Sequence, residues 1–162
     1  MTPGTVVAVR PATPADLDRL AAWVHAFFEH MRAVTADPWF EGAALDSTAW
    51  AARFGAALDG GELLTLAEVD GRPAGFLYGV FERPFIRESP IERIGHVAIV
   101  WVEPWARGRG AARALVADAE AWFRERGVGW LELSYSTANR AGAAAWTALG
   151  FEPYRVWARR RI

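Results

Sequence analysis

The sequence predicts a mixed α/β domain, with one sheet that is antiparallel in its first half and parallel later, and with helices packed on it. Three observations carry that prediction. Strand-like and helix-like runs follow one another along the whole chain. Asp70-Gly71 joins two strand-like runs and suits the left-handed conformations of a tight hairpin. From Ile94 onward a strand, a helix and a second strand succeed one another, and such a crossover places its strands parallel and right-handed.

Each element has its own local reason. Val6 to Arg10 alternates like a short strand. Thr13, Pro14 and Asp16 form a helix start, with a hydroxyl cap, proline at the first helical position and a carboxylate at the third. Leu17, Leu20, Val24, Phe27, Phe28 and Met31 then recur at helical spacing. A second helix begins near Asp46 or Ser47, turns Trp50, Phe54, Ala57 and Leu58 inward, and ends at Asp59-Gly60-Gly61. Leu63 to Val69 and Ala74 to Phe81 are the hairpin strands. A loop from Glu82 to Glu92 leads to a strand from Ile94 to Val102. Ala112, Leu115, Ala119, Trp122 and Phe123 mark the inner face of the next helix, which closes with Arg124, Arg126 and Gly127. Trp130 to Tyr135 is a strand, Asn139 to Leu149 a helix stopped by Gly150, and Tyr154 to Arg159 a final strand. The order is β-α-α-β-β-β-α-β-α-β.

Composition removes several classes of function. With 162 residues, 52% of them hydrophobic, the chain is expected to form one domain over residues 1–162. A net charge of −1 supplies no field that favours nucleic acid or an anionic membrane, so Arg159, Arg160 and Arg161 are expected to be a solvated tail. No apolar segment approaches the ~20 residues that span a bilayer, and the N-terminus lacks a signal-type pattern, so a cytoplasmic location is expected. The absence of cysteine excludes thiol nucleophiles and thiolate metal ligands, and no metal is expected. All 18 basic residues are arginine, which removes Schiff-base chemistry and the lysine of a nucleotide P-loop.

The stretch VWVEPWARGRGAARAL, Val100 to Leu115, runs a strand into a glycine loop that opens a helix. Such a junction leaves backbone N–H groups unpaired and convergent, with the positive end of the helix dipole behind them, and so suits an anion. Gly108 and Gly110 let the backbone approach closely, Ala112 is small, and Arg107 and Arg109 add charge. A helix start that merely needs small residues is the competing reading. A dinucleotide fold is disfavoured, because that fingerprint belongs to a first βα turn and this loop comes late.

Two motifs in register make the chain resemble the GCN5-related N-acetyltransferases. The first is V-x-P-x-x-R-G-x-G-x-A from Val102 to Ala112, containing the R-x-x-G-x-[GA] signature as Arg107, Gly110 and Ala112. The second is N-x(10)-G-F, from Asn139 to Gly150-Phe151. Together they cover about residues 94 to 151. The resemblance implies that the anion is the pyrophosphate of acetyl-CoA, bound by Arg107, Gly108, Arg109, Gly110, Ala111 and Ala112. It implies a pantetheine arm in a gap where two parallel strands splay, along Val100, Trp101 and Val102. Asn139 and Trp146 are implied near the cofactor, against the readings of a helix cap for Asn139 and core packing for Trp146.

The reaction so implied moves an acetyl group from a thioester to a primary amine of a small molecule or peptide, by direct attack in a ternary complex. An alkylamine with pKa near 10.4 loses about 4 to 5 kcal/mol in becoming neutral at pH 7, whereas a thiolate with pKa near 8.5 leaves unprotonated for about 2 kcal/mol. The base therefore matters more than the acid. His96, on the strand entering the glycine loop, is at a position where family members carry a catalytic glutamate or histidine. Alternation places it on one face with Ala98, Val100 and Val102. A structural hydrogen bond is the alternative for His96, with Glu82, Glu92 or a water chain as substitute bases. Trp146 stands where many members have an acid tyrosine, and indole N–H does not release its proton. Tyr135 is the replacement candidate.

The acceptor wall implied by the resemblance contains Phe28, Trp39, Phe40, Glu41, Phe81, Glu82 and Phe85, with Arg83 and Arg87 nearby. A homodimer is left open. A catalytically silent acyl-CoA-binding or sensing module is the second function class, kept open by the missing tyrosine.

Overall fold

The computed structural model describes residues 4–41 and 45–162. Its order is β1 (Val7–Pro11), α1 (Leu17–Thr35), α2 (Ser47–Asp59), β2 (Leu63–Val69), β3 (Arg72–Glu82), β4 (Ile94–Val102), α3 (Ala111–Glu125), β5 (Leu131–Leu133) and α4 (Arg140–Ala148). The five strands form one sheet in the order β1-β2-β3-β4-β5. Its first four strands pair antiparallel and β4 pairs β5 in parallel, as the hairpin and the crossover predict.

Local chemistry sets most boundaries. Asp70 and Gly71 take φ of +52° and +75°, the left-handed pair that turns a two-residue hairpin without splaying its strands. The Asp46 carboxylate caps α2 by accepting from Thr48 N–H (2.8 Å) and Ala49 N–H (3.2 Å). At α1 the capping differs from expectation. A short 3-10 turn over Pro14–Asp16 precedes the helix, and Thr13 donates both its N–H and its hydroxyl to Asp16, each at 2.9 Å. Asp16 also takes both terminal nitrogens of Arg10, at 2.8 and 2.9 Å. The Arg10 guanidinium holds this buried carboxyl well below the usual carboxylate range.

The sheet has a core on each face. α3 covers one with Leu115, Val116, Ala119 and Phe123 against Leu77 and Val97. α1 and α2 cover the other with Leu20, Val24 and Phe54 against Phe76, Tyr78, Ile99 and Trp101. On α3 it is Ala111 that enters the core, while Ala112 is only half-buried.

Two expectations are corrected. Tyr154 to Arg159 is not a strand: residues 151–162 run without ladder bonds and leave Val156 87% and Trp157 80% exposed. Pro153 has no N–H to donate, and side-chain contacts at separate points hold the segment in place of a ladder. The second correction concerns the face of His96. Tyr78 pairs Ile99 whereas Gly79 pairs Val97, so Ala98 is an unpaired extra residue, a bulge. It reverses the alternation: Val97 enters the α3 core and Ile99 the α1/α2 core. His96 therefore shares its face with Ile99 and Trp101, and not with Val100 and Val102.

Candidate active site

β4 organises the site. β5 pairs with it only at Gly95, His96 and Val97 and then ends, so β4 from Ala98 to Val102 has a bare edge on that side. Glu103 donates its N–H to Ala74 on the β3 side at 2.8 Å. The N–H and C=O of one strand residue point to the same edge and those of the next residue to the other, so those of Val102 and Val100 point to the bare one. Arg107 Nε reaches the Val102 carbonyl there at 3.1 Å. Unpaired strand backbone thus runs up to the glycine loop.

In that loop Gly108 and Gly110 have φ of +74° and +93°, a region side chains strain to enter. The first bond of α3 runs from Ala114 N–H to Gly110 C=O at 3.0 Å. The N–H groups of Ala111, Ala112 and Arg113 lie ahead of it at the positive end of the dipole, an arrangement that suits an anion. Ala111 offers only its amide to the loop, since its side chain is in the core. Arg109 stands at the mouth, 3.6 Å from Asp70 of the hairpin turn.

The remaining candidates are placed as follows. Trp101 points its ring into the α1/α2 layer, under the Arg107 guanidinium at 5.1 Å and edge-on to His30 at 5.9 Å. Burial, and then the charge of Arg107, push the His30 pKa down. Asn139 caps α4, its Oδ1 accepting from Gly142 N–H at 3.0 Å, and its Nδ2 lies 3.6 Å from Met31 Sδ of α1. Trp146 packs edge-on against Phe151 at 5.5 Å beside the α3 core. Tyr135 is half-buried in the connection after β5. Glu92 is exposed in the loop before β4.

Around His96 three elements converge. Nδ1 is closed off from solvent and without a hydrogen-bond partner among the described residues, with Glu82 Oε2 of β3 at 3.8 Å. Glu132, the register partner of His96 on β5, brings a second carboxylate, and one ligand atom from each of the three lies within 4.8 Å of the others. Tyr154 donates its hydroxyl to Glu132, and that carboxylate, with burial behind it, pushes the Tyr154 pKa up. Sequence reasoning missed Glu132 and Tyr154. Only the β4–β5 register brings the first to His96, and only the path of the C-terminal segment brings the second.

A family model described as Acetyltransferase (GNAT) family matches residues 19–151. The chain belongs to the GNAT family. Acetyl-CoA is the cosubstrate of GNAT enzymes. The chain is 31% identical over 142 residues to the mycothiol acetyltransferase of Thermomonospora curvata, covering 88% of this chain and 38% of that protein. It is 34% identical over 163 residues to the mycothiol acetyltransferase of Salinispora arenicola, covering 91% and 44%. It thus spans well under half the length of these relatives. Among solved GNAT folds, aminoglycoside N-acetyltransferase AAC(6')-Iy in complex with CoA superimposes with a TM-score of 0.76 at 20% identity, over 99% of this chain and 98% of that one. A predicted acetyltransferase from Clostridium acetobutylicum with acetyl-CoA gives 0.75 at 17% identity, over 96% of each.

Proposed function

We propose that this chain transfers the acetyl group of acetyl-CoA to a primary amine of a small molecule or peptide, by direct attack in a ternary complex. The observation that carries the reading is one strand, β4, which offers a bare backbone edge, runs into the anion-binding loop and bears His96 flanked by two carboxylates. Among the structural neighbours, AAC(6')-Iy has been solved with a bisubstrate analogue joining CoA to an acetylneamine, which supports a ternary complex.

The amine arrives as an ammonium ion, and His96 takes its proton. The freed lone pair attacks the thioester carbonyl, the C–N bond forms, the C–S bond breaks, the thiolate leaves, and the nitrogen gives its second proton to that thiolate or to solvent as the amide forms. Unassisted departure costs only about 2 kcal/mol at neutral pH, so the reaction runs without an acid at Trp146. Val100 and Val102 hold the pantetheine arm, and Gly108 to Ala112 with Arg107 hold the pyrophosphate.

Incubation with acetyl-CoA and a panel of amines, polyamines, aminoglycosides, amino acids and peptides, with free thiol followed, tests the proposal. Thiol release that depends on one class of amine is expected. Cofactor binding with no release on any amine assigns the chain instead to a silent acyl-CoA-binding module.

A further inference from the structure

The His96 cluster has the composition of a metal site as well as that of a base. Glu82, His96 and Glu132 come from three neighbouring strands, β3, β4 and β5, and one ligand atom from each lies within 4.8 Å of the others. Among the described residues no other group of three histidine or acidic side chains comes together in this way. Nδ1 of His96 has no hydrogen-bond partner among the described residues, so its lone pair is uncommitted. Its distance to Glu82 Oε2, 3.8 Å, is too long for a hydrogen bond. Two ligands of one tetrahedral zinc ion, each about 2.0–2.1 Å from the metal, stand about 3.3 Å apart, so small side-chain turns bring this pair onto a shared ion. Glu82 is 48% exposed and lies against the nitrogen, which gives an ion its way in. Glu132 is already held, because it accepts the Tyr154 hydroxyl, the kind of hydrogen bond that orients a ligating carboxylate.

We propose that Glu82, His96 and Glu132 bind a divalent transition-metal ion of the zinc type, and that the bound ion arrests acetyl transfer. The arrest rests on the transferase reading; the ion site does not. One imidazole with two carboxylates suits zinc and balances its charge, whereas magnesium and calcium take oxygen ligands alone. GNAT enzymes use acetyl-CoA without a metal, so the ion is an inhibitor and not a cofactor. With one ring nitrogen on the ion and the other carrying the ring's proton, the imidazole has no lone pair left for a substrate proton. The ion also places positive charge where the ammonium group of the acceptor must come.

The test is calorimetric titration of the full chain, stripped of metal with a chelator, with zinc chloride and separately with magnesium chloride. One zinc ion per chain and no heat from magnesium are expected. H96Q and E132Q are each expected to weaken zinc binding by about tenfold or more, and Y154F by about tenfold with all three ligands kept. E82Q, at an exposed position, is expected to show the same loss and serves where a variant of a more buried ligand fails to fold. Zinc bound no tighter than magnesium, or zinc affinity unchanged in a folded ligand variant, overturns the site. In the transfer assay zinc is expected to lower turnover at saturating acetyl-CoA, with recovery when chelator is added. The acetylated product is followed there, since free thiolate itself takes zinc. Zinc that binds the cluster without lowering turnover overturns the arrest. If no amine is acetylated, the transferase reading fails and the arrest with it, and the calorimetry still decides the ion site.

Discussion

His96 of β4 and Glu132 of β5 are direct register partners in the parallel strand pair, and the Glu132 carboxylate beside the imidazole is itself held by the Tyr154 hydroxyl. The imidazole thus has a carboxylate on either side, Glu82 of β3 and Glu132 of β5.

His96→Ala is expected to lower turnover far more at pH 7 than at pH 9.5. A lost general base is worth ~10²–10⁴-fold, and alkaline buffer supplies free amine that hides part of the deficit. Thiol release measured across that range is the check, and a deficit constant with pH removes His96 from the proton step.

Gly110→Asp is expected to abolish binding of coenzyme A and also to lower the melting temperature. The carboxylate sits among the N–H groups that receive the phosphate, and φ of +93° strains any side chain by about 1–2 kcal/mol. Gly110→Ala shares the strain without the charge. Calorimetry on both variants separates the two effects: the alanine form keeps measurable affinity and the aspartate form has none.

Trp146→Tyr is expected to leave turnover within about tenfold of the wild type, because sulfur departure needs only about 2 kcal/mol without an acid. The smaller ring loses part of its contact with Phe151, and a loss of about 1 kcal/mol in stability follows. A large rise in turnover at unchanged acceptor affinity would show that protonation of sulfur limits the wild type.

Asp16→Asn is expected to destabilise the fold at neutral pH by about 2 kcal/mol, a figure reduced for the partly exposed Arg10. The folded carboxyl is held below its unfolded value near 3.9, so its contribution is complete above that value and fades as pH falls toward the folded pKa. Urea unfolding of both proteins should show a gap that is constant from pH 5 to 7 and narrows below pH 4. A gap that persists undiminished to pH 2 would assign the loss to packing.

Much of this arrangement is local and therefore legible in the residues. Asp70-Gly71 must turn a hairpin because its φ values are set within the dipeptide, and Asp46 caps α2 because its partners are two and three residues away. Gly108 and Gly110 mark the tight loop before α3 for the same reason, and Asn139 is the helix cap that its position before α4 suggests. The strand expected over Tyr154 to Arg159 failed because its pattern suits a ladder that Pro153 and a three-residue β5 do not supply.

The sequence by itself determined the element order up to α4, the hairpin, the crossover and the glycine loop that opens α3. Only the tertiary structure decided which groups face His96. The bulge at Ala98 exists because β3 and β4 shift register there, and it turns His96 away from the face that simple alternation predicts. Glu132 meets His96 through pairing of strands 36 residues apart, and Tyr154 meets Glu132 because a segment without ladder bonds is held by its side chains. Such contacts are set by the packing of distant elements on one another, where no short-range propensity favours one register over the next.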